Sequence, residues 1–158
     1  MKKSDFTKYS ALALMVGMCL QTTHAKDYSQ VIFFGDSLSD TGRLKDLVSE
    51  QDGTFGNALQ PSFTTNPDPV WTSLFAQSYG KTASPNTPDN STGTNYTVGG
   101  SQSARTATWT DTSGTVSVNI PTTNDQIKHY LANTNGQTDS NALYAVWIGA
   151  NDLFYAIE

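Results

Sequence analysis

The sequence predicts an α/β fold built on a mainly parallel sheet. Two observations carry this. Residues 31–34 (VIFF) and 142–148 (ALYAVWI) are continuous apolar runs, the composition of strands buried on both faces, and each stops at a glycine followed by polar residues. The stretches between them carry apolar residues at helical spacing, and strands that alternate with helices argue for a parallel sheet.

Taken in order, the first strand ends at Gly35, and residues 44–48 begin a helix. Residues 51–68 are rich in Gly, Asn, Pro and Thr without a period, and read as a long loop. Asp68 followed by Pro69 is a helix-start signal; Val70, Trp71, Leu74, Phe75 and Tyr79 then recur at helical spacing, and Gly80 offers a stop. Residues 82–93 form another loop, and 95–98 a short strand that ends at Gly99-Gly100. Residues 115–120 (TVSVNI) alternate with period two, as a partly exposed hairpin arm does, and 125–132 read as a helix with Ile127, Tyr130 and Leu131 on one face. Three polar clusters, at 35–41, 99–101 and 149–152, each follow a strand, so all three can meet at the carboxyl edge of one sheet. With so few strands, the last sheet edge and helix face are expected to lie uncovered, and the domain is expected to be truncated at Glu158.

The first 25 residues have the layout of a secretory signal. Lys2, Lys3 and Lys8 give a positive start, residues 11–20 (ALALMVGMCL) an apolar run, and Thr23 and Ala25 the small residues before a cut. Ten apolar residues rise only about 15 Å as a helix, roughly half a bilayer core, which argues against a membrane anchor. Residues 26–158 are then the exported part, extracellular, at the cell surface or periplasmic. Cys19 is the only cysteine; the bulky Met18 before it disfavours a lipoprotein cut there. The mature chain so defined has no cysteine, and hence neither a disulfide framework nor a thiolate. It holds six basic and thirteen acidic side chains, a net charge of −7. Such a surface repels nucleic acid, and no basic stripe offsets it. Neither a phosphate-binding glycine pattern nor a His/Cys cluster is present, so no nucleotide, cofactor or metal is expected.

A serine becomes a useful nucleophile when it is fixed at a strand end, exposed, and within reach of a base. Ser37, in Gly35-Asp36-Ser37-Leu38 directly after the first strand, meets the first two conditions. Acyl transfer also needs donors aimed at the oxygen that gains charge. Gly100 offers a backbone N–H with no side chain in the way, and Asn151 an amide after the second apolar strand. Each has an ordinary reading too: a strand-to-helix turn, a Gly-Gly turn, a helix cap.

Together and in this order, FFGDSLSDTG (33–42), NYTVGGS (95–101) and WIGANDLF (147–154) resemble the three leading blocks of the GDSL lipases, or SGNH hydrolases. The resemblance implies a three-layer α/β/α, flavodoxin-like fold. It implies Ser37 as nucleophile, and the Ser37 N–H, Gly100 N–H and Asn151 side chain as the oxyanion hole. Gly100 matches the second block better than Gly99. The substrate implied is a small-molecule or lipid ester. Long Asn/Thr-rich loops look most like exported bacterial members, including passengers fused to an outer-membrane β-barrel. A non-catalytic adhesin passenger that retains the fold is the alternative.

One departure matters. The family's base is a histidine in a late Asp-x-x-His block, and these 158 residues contain no such pattern. His24 lies in the signal, and His129 precedes the third block within a helix, which makes it a surface or half-buried helix residue rather than the base. The expectation is an esterase whose first three blocks are here and whose base is elsewhere, so that this stretch alone is nearly inactive.

Overall fold

A computed structural model describes residues 27–59, 63 and 68–157. The expected signal segment lies outside the described residues. The elements, in chain order, are β1 (Val31–Gly35), α1 (Arg43–Gln51), α2 (Gly53–Ala58), α3 (Trp71–Ser78), β2 (Ala107–Thr110), β3 (Ser117–Ile120), α4 (Thr123–Asn133), β4 (Leu143–Trp147) and α5 (Ala150–Ile157).

β1 is the centre of the sheet. On one side it pairs in parallel with β4, from Val31 opposite Leu143 to Gly35 opposite Trp147. On the other side residues 94–98 run parallel to it: Phe33 N–H donates to Thr94 O (3.0 Å), Tyr96 N–H to Phe33 O (2.9 Å) and Val98 N–H to Gly35 O (3.1 Å). Bonded along both edges, β1 is buried over its whole length. Its side chains alternate between two helical layers, as period two requires. Val31 and Phe33 pack with Trp71, Phe75 and Ala76 of α3, whereas Ile32 and Phe34 pack with Tyr96 and with Tyr130 of α4. This is an α/β fold with a parallel sheet between helices.

A third cluster sits beside the sheet. Leu44 and Val48, four residues apart on α1, meet Val98 and the inward residues Val118 and Ile120 of β3. β3 pairs antiparallel with β2, a strand that the sequence reading did not assign. The reading also missed α2 inside the expected loop. Asp52 starts that helix by accepting from Thr54 N–H and Phe55 N–H. Gly56 lets it close on α1, since a Cβ there would lie 2.0 Å from Ser49 Oγ.

Two further boundaries differ from expectation. α3 begins at Trp71, with the extended Val70 at its N-cap position, two residues later than Asp68-Pro69 suggests. α4 begins at Thr123 because Thr122 and Asp125 form a reciprocal capping box.

β4 has the composition of a strand covered on both faces, but the described structure leaves it open. Val146 is 57% exposed and Trp147 55%, and α5 buries none of its residues. Only β1 pairs with β4 among the described residues, so the expected uncovered edge and helix face are present.

Phe33 is fully buried and contacts Trp71 and Phe75 edge-on, with ring centroids 5.6 and 6.3 Å away. Phe33→Ala is expected to lower the unfolding free energy by about 3–5 kcal/mol in urea melts. Val146→Ala, on the open strand, should shift it by about 0.5 kcal/mol or less. Equal losses would mean that β1 is not the core of the sheet.

Candidate active site

The site lies where β1, residues 94–98 and β4 end. Gly35 closes β1 beside Trp147; a Cβ at Gly35 would stand 2.2 Å from the Trp147 carbonyl oxygen, so only glycine lets the two strands finish side by side. The chain then turns sharply. Ser39 N–H donates to Asp36 O (3.0 Å), and Asp36 Oδ1 accepts from Leu38 N–H (3.1 Å), a side-chain-closed turn. Ser37 is half-buried in this turn, between neighbours with fixed places. Asp36, Ser39 and Asp40 are fully buried.

Ser39 anchors the turn to two other elements. Its Oγ accepts from Trp71 Nε1 (3.1 Å), and its carbonyl accepts from Thr72 Oγ1 (3.0 Å) and Asn95 Nδ2 (2.8 Å). Asp40 does more. One carboxylate oxygen accepts from Gly42 N–H (2.7 Å) and Arg43 N–H (2.6 Å), the other from Leu44 N–H (3.1 Å) and Gly99 N–H (2.7 Å). It thus caps α1 from two residues before the N-cap Gly42 and ties the first block to the second. Burial pushes its pKa up, against the pull of these N–H donors.

The second block ends in a turn closed by Ser101 N–H donating to Val98 O (3.1 Å), with Gly100 at φ +82°. That left-handed value is one that glycine adopts without cost. Among the described residues, neither the Ser37 N–H nor the Gly100 N–H takes part in a hydrogen bond. Asn151, in the first turn of α5, donates from its amide to Ser101 O (2.8 Å), which holds it against the Gly-Gly turn. Asp152 accepts from Ser103 N–H (3.0 Å) and Ser103 Oγ (2.6 Å), docking the third block onto the residues after the second. Those bonds, the Ser103 hydroxyl first, lower the Asp152 pKa. Asp36 is shifted upward, chiefly by burial, with the Asp152 charge adding to it, and its Oδ2 has no hydrogen-bond partner among the described residues.

The sequence reading did not single out Gln126. Its amide spans Gly35 as a backbone partner would: Oε1 accepts from Gly35 N–H (2.9 Å), and Nε2 donates to Gly35 O (2.9 Å). The same Nε2 also donates to Ser101 Oγ (2.9 Å), whose hydroxyl donates to Pro121 O (2.8 Å). The signal for it was a polar residue four positions before Tyr130, hence on the buried face of α4. His129 sits elsewhere on this helix. Its ring meets Tyr96 edge-on at 5.5 Å, and burial lowers its pKa, with Arg43 adding to the effect. Trp71 packs edge-on against Phe33, and Trp109 packs near Phe55.

The sequence profile described as GDSL-like Lipase/Acylhydrolase matches residues 31–157. Lipase 1 of Photorhabdus luminescens is 28% identical over 158 residues, covering 100% of this chain and 20% of that protein. The chain therefore spans about a fifth of the length of the curated relative that it matches.

Gln126→Leu keeps the bulk of the side chain and leaves the buried Gly35 N–H without its acceptor. It should cost about 1–3 kcal/mol of stability in chemical denaturation. A neutral result would show that water or another group replaces the amide.

Proposed function

The chain belongs to the GDSL-like lipase/acylhydrolase family, and on that premise we propose that it carries the nucleophile and oxyanion hole of a serine ester hydrolase. The supporting observation is the convergence of the three strand-end loops. The Ser37 turn is bonded to the Gly99 loop through Asp40, and that loop is bonded to Asn151 through Ser101. The N–H groups of Ser37 and Gly100 are left without protein partners among the described residues.

In this mechanism the Ser37 Oγ attacks the ester carbonyl carbon, and its proton passes to a histidine of an Asp-x-x-His block outside these 158 residues. The carbonyl oxygen gains negative charge and accepts from Ser37 N–H, Gly100 N–H and the Asn151 amide. One amide hydrogen of Asn151 is used on Ser101 O; the second is the one offered to the oxyanion. Collapse of the tetrahedral intermediate breaks the bond to the alcohol, which leaves with the proton from the histidine. Water then attacks the acyl-Ser37 ester, and the acid is released as Ser37 regains its proton. The donors come from backbone and a tethered side chain, so little reorganisation is needed as charge develops.

Export of the protein, through residues 1–25, and attachment to an outer-membrane barrel belong to the same proposal. They rest on the signal-like layout and the loop composition.

Asn151→Ala in the full-length protein is expected to lower kcat by 10²–10³, or about 2.7–4 kcal/mol, with KM nearly unchanged. An effect confined to KM would make Asn151 a binding group only. A fluorophosphonate should label the full-length protein at Ser37 and fail on Ser37→Ala; no labelling would favour a non-catalytic passenger. Residues 26–158 expressed alone should hydrolyse a 4-nitrophenyl ester far more slowly than the full-length protein. Comparable rates would place the base within this stretch.

A further inference from the structure

Beside Asn151 lies a groove of about 470 Å³, bordered by Gln102, Arg105, Thr108, Phe154 and Tyr155. The size is that of a small-molecule site. Among the described residues that line it, Arg105 is the only charged one. The guanidinium carbon lies 3.5 Å from the centre of the Tyr155 ring, a cation–π contact that fixes its position. Stacking uses the face of the guanidinium and leaves its N–H donors, which lie in the plane, available for bidentate bonds to an oxyanion. Among the described residues Arg105 forms no salt bridge. The acid closest in sequence to Asn151, Asp152, is occupied by Ser103. A cation held without a carboxylate next to the site, in a chain of net charge −5, is a local reversal of the surface charge.

We infer that Arg105 is a specificity-determining residue that selects esters bearing a negatively charged group, phosphate or carboxylate, a short distance from the scissile bond. This rests on the proposed function, since the groove is defined by its place beside Asn151. Phe154 and Tyr155 supply apolar walls for the uncharged part of such a substrate, and the guanidinium supplies the anion contact.

The test uses the full-length protein and matched ester pairs. 1-Butyrylglycerol 3-phosphate against 1-butyrylglycerol places the charge on the alcohol side. 4-Nitrophenyl hydrogen succinate against 4-nitrophenyl butyrate places it on the acyl side. At least one pair should favour the charged member. Arg105→Gln should then raise KM for that ester about tenfold and leave kcat/KM for its neutral partner within about twofold. Arg105→Lys should recover part of the preference, and added NaCl should weaken it. A role limited to clamping α5 would move both members of a pair together, and that result overturns the inference. So does Ser37-dependent turnover with no charge preference in either pair, which leaves the proposed function standing. Absence of any Ser37-dependent turnover removes both.

Discussion

The carboxylate of Asp40 is the constraint on which the site's architecture depends. Four backbone N–H groups, three from the start of α1 and one from Gly99, converge on its two oxygens. A protonated carboxyl would set its O–H against a ring of donors, so the arrangement demands the ionised form even though burial opposes it. One buried charge thereby sets where α1 begins, how the turn after β1 leaves the sheet, and where the Gly-Gly loop stands relative to both. Replacing it with a neutral isostere would point an amide at the same donors.

Gln126 makes the complementary connection from beneath. A side-chain amide that satisfies both the N–H and the C=O of Gly35 acts as a one-residue extra strand, and it reaches the hydroxyl of Ser101 as well. The consequence is a division of labour. Side chains such as Asp40, Ser39, Asn95 and Gln126 are consumed by holding loops, whereas the backbone donors at Ser37 and Gly100 stay unengaged among the described residues. Rigid loops with idle donors are what an electrostatically prepared site requires.

Much of this was legible in the sequence, and the misses have physical causes. The run VIFF announces β1 because a strand with helices on both faces has no polar side to show. The three strand-end clusters were legible because each couples a glycine to polar residues directly after a strand candidate. The helix Gly53–Ala58 was not, since a short helix rich in glycine and asparagine has no apolar period, and only Asp52 marks its start. β2 escaped because its pairing with β3 is set by tertiary contacts of Ala107 and Trp109 with the α1 cluster. Gln126 was hidden by its own helix: periodicity marks the buried face but does not reveal that a polar residue on that face bonds to a strand end. The composition of residues 142–148 gave the strand, but apolar content records what a strand can be packed against, not what is present, so the open side of β4 was legible only from the small number of strands.

That open strand has a practical corollary. The outward edge of β4 displays backbone donors and acceptors in register, flanked by Val146 and Trp147, and Ile157 on the neighbouring helix is 74% exposed. Such an edge is a template for any extended peptide that drifts near it, including another molecule of the same kind. As an isolated polypeptide, the stretch is therefore expected to self-associate through that edge.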